Sequence, residues 1–230
     1  MKLLEQLCTL HGGEIDHVVL THNLPAEPVV SPEAGWPFDF SEVFNPAAKG
    51  FGANHNGAFR LCQTDYFCIL NPDVELSDPG VWPRLMECVR QPGVGCAYPV
   101  LFNGDGTLQE NERELLTPAA LLRRHLLKDP QRCVDWVSAA FWLVPTGAWR
   151  DLGGFDERYH MYCEDVDFCL RLQLAGWRLA RADTSAVHKA GWASRRLGLH
   201  LVWHVRSILR LWGTPHFRRY LLEVRRRRKT

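Results

Sequence analysis

Two acidic stretches about 90 residues apart are the parts of this chain best equipped for chemistry. The first, Leu70-Asn71-Pro72-Asp73-Val74, closes the apolar run Tyr66-Phe67-Cys68-Ile69-Leu70. Pro72 has a fixed φ and pushes Asn71 toward an extended conformation, so the turn is stiff. A carboxylate held just beyond a buried strand suits a hard cation, which takes oxygen ligands and leaves positions for phosphate. The second stretch runs from Gly153-Gly154-Phe155 through Met161-Tyr162-Cys163 to Glu164-Asp165-Val166-Asp167. It sets two adjacent carboxylates, Glu164 and Asp165, at the mouth of a predicted helix. In an apolar, loop-gated cleft their pKa values separate, and one accepts a proton near neutral pH. The plain alternatives are a β-turn aspartate at 73 and a solvated helix start at 164, where acids are common because the helix dipole favours them.

Two further candidates accompany them. His188 ends a short apolar strand and is suited to a metal or phosphate contact, although a lone histidine is more often structural. Lys49-Gly50-Phe51-Gly52-Ala53-Asn54-His55-Asn56-Gly57 reads as a glycine loop entering a helix. Backbone N–H groups there can cradle a phosphate; an ordinary loop-to-helix junction fits equally.

The elements that must position these residues follow from periodicity. Leu3, Leu4, Leu7 and Leu10 have helical spacing, and Ile15 to Leu20 form a strand ending at Thr21-His22-Asn23. Pro25, Pro28, Pro32 and Pro37 mark a loop before a short strand, Phe40 to Phe44. A helix reaches about Gln63, Tyr66 to Leu70 is a strand, Trp82 to Arg90 a helix and Val94 to Phe102 a strand. Asn103-Gly104-Asp105-Gly106 is a hairpin-like turn, Glu112 to Lys128 is partly helical, and Val134 to Val144 is an apolar strand. The helix from Glu164 stops near Gly176; Trp177 to Ala182 and Ala186 to His188 then read as two strands. Leu197 to Trp212 is an amphipathic helix, and Pro215 precedes a last one. Strands alternating with helices imply an α/β fold with a mostly parallel sheet, whose ligands bind beyond the C-terminal strand ends. Asn23, Asp73 and His188 each fall at such an end.

Composition narrows the class. Hydrophobic residues make up 46% of the 230, with nine Trp and eleven Phe, enough for a substantial core. The eight cysteines form no C-x-x-C pair, so reduced core thiols fit better than zinc or disulfides. No apolar run approaches the roughly 18 residues of a spanning helix, and the first residues lack a signal-peptide core, which predicts a cytoplasmic protein. The net charge of +1 conceals an asymmetry: from Arg195 onward there are 11 Lys and Arg against one acid, so a basic end follows an acidic body. Leu197, Leu201, Ile208 and Leu211, with Trp203, Val205 and Trp212, read as one broad apolar face carrying Arg206 and Arg210. Such a helix suits an acidic membrane surface; a core-packed helix with a solvated basic tail, Arg225 to Lys229, is the alternative. No nucleic-acid-binding motif accompanies the charge, so no nucleic acid partner is expected.

From about Leu3 to Ser207 the order of motifs resembles the family 2 glycosyltransferases with the GT-A fold, in the flavour of their rhamnosyltransferase-like bacterial members. Asn45 with Lys49 to Asn56, Leu70 to Val74, Asp135-Trp136-Val137-Ser138, Gly153 to Asp167 and His188 to Ser194 carry the resemblance. It implies a nucleotide-diphospho-sugar transferase fold, Rossmann-like and mixed, over residues 1–194, with basic helices over 195–230. It also implies inverting transfer of a sugar, a deoxyhexose such as rhamnose, to a saccharide or polyprenol-linked acceptor in cell-surface polysaccharide assembly. By resemblance Asp73 and His188 hold Mg²⁺ or Mn²⁺ at the diphosphate, Asp165 is the base with Glu164 beside it, and Trp136 and Ser138 line the acceptor or donor-sugar pocket. Asn23, Lys49, Gly50, Asn54 and Asn71 fall to the donor. The lipid-linked acceptor fits a chain peripheral to the inner membrane face through its basic end.

Four departures stand out. Asn71 occupies the first Asp of the D-x-D seen in many relatives. The interval from Asn23 to Asn71 suits the family's second strand, so either the first strand is missing or Thr21-His22-Asn23 is the first strand's own motif and the second is degenerate. His22 and Ala139 replace a base-contacting Asp and a glycine. A non-catalytic glycosyltransferase-like scaffold is the rival from another class, and a nucleotidyltransferase a third reading, without a convincing triphosphate loop.

Overall fold

The computed structural model describes residues 2–123, 133–189 and 197–227. The final residues of the 188–194 stretch and the end of the basic run, 228 and 229, lie outside the described residues, as does the 124–128 part of the partly helical reading. Helix α1 (Lys2–His11) leads to β1 (His17–His22), β2 (Asp39–Phe44), α2 (Phe51–Phe59), β3 (Tyr66–Leu70), β4 (Val74–Glu75) and α3 (Val81–Val89). Then follow β5 (Val94–Phe102), β6 (Glu112–Arg113), α4 (Pro118–Leu122), β7 (Trp136–Val137), β8 (Phe141–Pro145) and α5 (Thr146–Leu152). The chain continues through α6 (Glu164–Leu174), β9 (Arg178–His188), α7 (Leu197–Gly213) and α8 (Pro215–Arg227).

The main sheet has five strands in the order β3-β8-β5-β9-β4. β5 and β9 are parallel, β8 is antiparallel to both β3 and β5, and β4 is antiparallel to β9. The sheet is therefore mixed, with β3, β5 and β9 sharing one direction. β1 and β2 form a separate parallel pair, with His22 opposite Phe44. β5 is buried along nearly its whole length, as a central strand covered on both faces must be.

Two sequence expectations change. β9 is one strand, not two: its polar middle alternates, with Asp183 and Ser185 exposed while Thr184 points inward. A period of two carries polar residues through a half-buried strand without breaking it. The apolar run 134–144 is two strands instead of one, interrupted at Ser138-Ala139-Ala140.

Layering follows from side-chain size. α3 buries Val81, Trp82, Leu85, Cys88 and Val89, a helical stripe. Ala180, Ala182 and Ala186 of β9 belong to the same core, and small residues there let α3 lie close. A second cluster is aromatic. Trp149 meets Phe155 and Phe168 at ring-centroid distances of 4.9 Å, and Phe67 lies 5.0 Å from Trp149. Such rings bury large apolar area and add edge-to-face attraction. A third cluster joins α6 to the C-terminal helices, through Leu170, Leu211, Phe217 and Tyr220. The basic end thus packs into the domain core along part of its length.

Phe155 follows two glycines in the left-handed region, Gly153 at φ 70° and Gly154 at φ 70°. A Cβ on Gly154 would fall on the Asn56 amide oxygen, the atom that accepts the Phe155 N–H at 2.9 Å. Gly154→Ala is expected to cost about 1–3 kcal/mol, measured by urea unfolding, through backbone strain and loss of the Asn56 bridge. Gly147→Ala, in open space on α5, is the control and should stabilise by about 0.5–1 kcal/mol.

Candidate functional site

Asp73 and His188 come together. The Asp73 carbonyl accepts the Lys189 N–H at 2.9 Å, and Val74 pairs with His188 across β4 and β9. The Asp73 carboxylate lies 3.2 Å from His188 Nε2. The other ring nitrogen, Nδ1, is 2.8 Å from Gln109 Oε1. Gln109 Nε2 donates to Asn103 Oδ1 at 2.9 Å, which turns its amide oxygen toward the histidine. Nδ1 must then carry a proton, and in neutral imidazole Nε2 presents a lone pair. A lone pair facing a carboxylate is repulsive unless a cation or a second proton lies between them. The pair is chemically suited to share a metal ion, with Gln109 orienting the histidine. No group of three or more His, Cys, Asp or Glu side chains with metal-holding geometry occurs among the described residues.

Glu164 and Asp165 open α6 after Tyr162 and Cys163, both in the left-handed region at φ 71° and 66°. Non-glycine residues there are strained, and such strain gathers at functional sites. Asp165 accepts N–H bonds from Val166, at 2.8 Å, and from Ala139. Among the described residues no cation contributes to its titration, and burial, the largest cause, raises its pKa. Burial raises that of Glu164 further, with the Asp165 charge second. The Glu164 Oε2 atom is buried and has no hydrogen-bond partner among the described residues. Asp167, two residues on, is fully buried but paired with Arg171, at 2.7 Å, and with His216. The helix start therefore holds one neutralised acid and two that are not.

A ring of contacts joins the two carboxylate centres. Ala140 accepts the Asn71 N–H at 2.9 Å, while its neighbour Ala139 donates to Asp165. Ser138 N–H bonds to the Asn111 carbonyl at 2.9 Å, and Asn111 N–H to the Gln109 carbonyl at 2.8 Å. From Gln109 the circuit returns to His188 and Asp73. The break between β7 and β8 is thus where the site is assembled. Trp136 directs its indole N–H to the Glu114 carbonyl at 2.9 Å, and its half-buried ring packs in the core beside the site.

The donor-side candidates form a network of their own. Asn23 Nδ2 donates to the Lys49 carbonyl at 2.9 Å, and Asn23 Oδ1 accepts the Lys49 N–H at 2.8 Å. Asn45 bridges Asn23, at 3.1 Å, and Asn54, at 2.7 Å. A cavity of about 380 Å³ lies beside it, lined by Leu24, Pro25, Ala26, Glu27, Phe44 and Asn45. His22 stacks on Phe44 with centroids 4.4 Å apart and bonds to Glu42 at 2.7 Å. Gly50 approaches His160 so closely that a Cβ would meet its backbone, and the Phe51 N–H donates to the His160 carbonyl at 3.0 Å. One amide of the α2 start is therefore already occupied.

Residues that periodicity and motif do not reveal hold the carboxylates in place. Arg171 bonds to Asp167 at 2.7 Å, to the Leu152 carbonyl at 2.7 Å and to the Gly154 carbonyl at 2.8 Å. Helix α7 grips the 160–162 loop: His160 packs on Trp203, Met161 O accepts from Ser207 at 2.9 Å, and Tyr162 bonds to His200 at 2.7 Å and stacks on His204. The only sequence signal for these is the run of His and Trp in Leu197 to Trp212, which amphipathicity alone does not interpret.

Glu164 yields a pH-dependent stability. Its pKa, pushed up to about 8 in the fold, exceeds the ordinary glutamate value of 4.5. The native state holds that proton while the unfolded chain has lost it, so stability falls as pH rises from about 4.5 to about 8. Glu164→Gln should raise Tm at pH 8 and leave it nearly unchanged at pH 4; about 2–4 °C is expected per kcal/mol relieved. Scanning calorimetry at both pH values checks this, and equal effects at both would contradict it.

No protein-family model matches the chain. It is 31% identical over 163 residues to the N-acetylglucosaminyl-diphospho-decaprenol L-rhamnosyltransferase of Mycobacterium tuberculosis, covering 62% of this chain and 53% of that protein. It is 29% identical over 183 residues to the rhamnosyltransferase WbbL of Escherichia coli K12, covering 70% of this chain and 69% of the relative. The chain thus spans about half the length of the mycobacterial protein. Among solved structures it matches the mannosyltransferase PcManGT from Pyrobaculum calidifontis in complex with GDP-Man and Mn²⁺, with a TM-score of 0.51 and 15% identity over 81% of this chain and 58% of that one. GalNAc-T7 with UDP, GalNAc and Mn²⁺ matches with a TM-score of 0.53 and 12% identity, over 75% and 37% of the two chains. The chain is a GT-A-fold relative of the bacterial rhamnosyltransferases, similar to the rhamnosyltransferase-like members of glycosyltransferase family 2.

Proposed function

We propose that this chain is an inverting glycosyltransferase, moving a sugar from a nucleoside diphosphate donor to a hydroxyl of a saccharide or polyprenol-linked acceptor. A deoxyhexose such as rhamnose is the proposed sugar, in keeping with the names of the two relatives, and cell-surface polysaccharide assembly is the proposed setting. The carrying observation is that Ala139 and Ala140, consecutive residues, bond to Asp165 and to the Asn71-Pro72-Asp73 turn respectively. A pair suited to a cation and an unneutralised carboxylate pair therefore flank one short segment.

Asp165 acts as the base. It takes the proton of the acceptor hydroxyl as that oxygen bonds to the anomeric carbon, while the bond from that carbon to the donor phosphate breaks. A raised pKa improves the carboxylate as a base and leaves it ionised at neutral pH. Glu164, with its higher pKa, stays protonated beside it, so two like charges do not meet. Asp73 and His188 would hold Mg²⁺ or Mn²⁺, which when bound would neutralise charge on the leaving diphosphate. Asn23, Lys49, Gly50, Asn54 and Asn71 are assigned to the donor. Ser138, next to Ala139, and Trp136 are assigned to the acceptor or donor-sugar pocket. Among the described residues no helix is long and apolar enough to cross a membrane. A cytoplasmic location, peripheral to the inner membrane face through the basic residues from Arg195 onward, fits this assignment.

Calorimetric titration with UDP, dTDP and GDP, with and without Mn²⁺, tests the reading. One diphosphate should bind in a metal-dependent manner, and Asp73→Ala should remove that binding. Asp165→Asn should retain it while transfer falls by about 10²–10⁴-fold, the usual loss for a general base. Absence of binding to all three would favour a non-catalytic scaffold, and near-normal turnover by Asp165→Asn would sink the base assignment. The pH profile of transfer should rise through about 6 as Asp165 loses its proton.

A further inference from the structure

Helix α7 has two working faces. The inward face grips the 160–162 loop and buries Leu211. The outward face carries Leu201, Val202, Val205 and Leu209, between 50% and 63% exposed. Their spacing, i, i+1, i+4 and i+8, makes one continuous stripe. Scattered exposed apolar residues need no explanation, but a contiguous patch on one helix does. The broad face expected from sequence is thereby divided: Ile208, Leu211 and Trp212 turn to the core, while Leu201 and Val205 do not.

Beside the stripe lies a cavity of about 480 Å³, lined by Arg158, Arg206, Leu209, Arg210, Gly213, Thr214 and Pro215. Leu209 belongs to both. Arg158 is paired with Asp156 at 2.6 Å, and Arg210 lies over the Tyr159 ring at 6.0 Å. Arg206 is exposed, with no acidic partner among the described residues. The cavity therefore joins cationic groups to an apolar surface.

We propose that this face docks on a bilayer containing anionic phospholipid. A headgroup phosphate occupies the arginine cavity, and the stripe enters the headgroup–acyl boundary. Charge complementarity selects this occupant: among the described residues Arg158, Arg206 and Arg210 line the cavity and no acidic side chain does. A nucleic acid would satisfy the arginines but leave the stripe in water. Arginine suits the boundary because its stem lies along apolar surface while its guanidinium stays at the phosphate level. The site is the α7 face and its cavity, not the terminal run at 225–229. Docking on it sets the 160–162 loop, on the opposite side of α7, about one helix diameter, ~10 Å, from the membrane. That this serves a lipid-linked acceptor rests on the transferase reading; the docking itself does not.

Sedimentation of the full chain with phosphatidylcholine vesicles, with and without 30% phosphatidylglycerol (a proportion of about one third, enough to give a negative surface potential), tests the proposal. Wild-type chain should sediment with the anionic vesicles alone. Val205→Ser/Leu209→Ser and Arg206→Gln/Arg210→Gln should each lower partitioning about tenfold or more, since one basic residue near such a surface contributes about fivefold. Unchanged melting curves would show that these variants fold. Replacing Arg225 to Arg228 by Gln should leave most of the binding in place. No sedimentation of wild-type chain, or loss only in the 225–228 variant, would overturn the proposal. So would a concentration-dependent dimer in light scattering, abolished by the stripe variant without vesicle binding, because the face would then belong to a second copy. The assay contains no nucleotide, so its failure is separate from failure of the transferase reading.

Discussion

Two adjacent carboxylates, with no cation beside them among the described residues, must be kept at the start of a buried helix, and much of the structure answers to that constraint. Water would solvate them best, so burial of Glu164 and Asp165 opposes their charge. The α6 dipole and the N–H groups of Val166 and Ala139 offset part of the cost. Entry to the helix requires left-handed backbone at Tyr162 and Cys163, which no glycine relieves. Rigid surroundings must supply what the local sequence does not. Phe155 anchors one end of the loop in the aromatic core, Arg171 ties its start to α6 through the Leu152 and Gly154 carbonyls, and α7 holds 160–162 through ring contacts and two hydrogen bonds.

The sheet is arranged around the same requirement. β8 is inserted antiparallel between β3 and β5, so its beginning lies where β3 ends. That brings Ala139 and Ala140 against the Asn71 turn and α6 at once. Had 134–144 been one unbroken strand, its backbone groups would have been consumed by ladder partners. The interruption frees Ala139 N–H for a side chain. β4, only two residues long, likewise does little for sheet stability but fixes Asp73 against His188.

Much of this was legible in the sequence, for identifiable reasons. β3 and β5 are bounded by turn residues and are apolar enough to be read directly, and α3 announces itself by its stripe. Asp73 and the Glu164-Asp165 pair were legible because unusual residue types stand at element ends. Gln109 was not: 79 residues separate it from the histidine it orients, and a glutamine in a polar loop carries no period. The division of α7 was hidden for a related reason. Periodicity reports that a helix has a wide apolar face, but only the position of the 160–162 loop determines which half is inward. Gly50 was read as part of a phosphate cradle; the glycine is also demanded by the close approach of His160.

The contrast between Asp165 and Asp167 shows how the fold sorts like residues into unlike roles. Both lie in the first turn of α6, and the dipole favours both. Asp167 is 0% exposed, and there a free charge would be prohibitive; Arg171 one turn on neutralises it, and His216 from α8 bonds to it. Asp165 is rotated by two residues, about 200° around the helix. It consequently meets Ala139 and the gap between strands, where none of the described residues places a cation. A cation there would lower its pKa and make it a poor proton acceptor; full exposure would do the same by solvation. Only partial burial with neutral donors leaves a carboxylate basic enough to take a proton from an alcohol while ionised at neutral pH. The C-terminal helices therefore act on the site from two directions: α8 brings His216 against Asp167, and α7 holds the strained approach to Asp165.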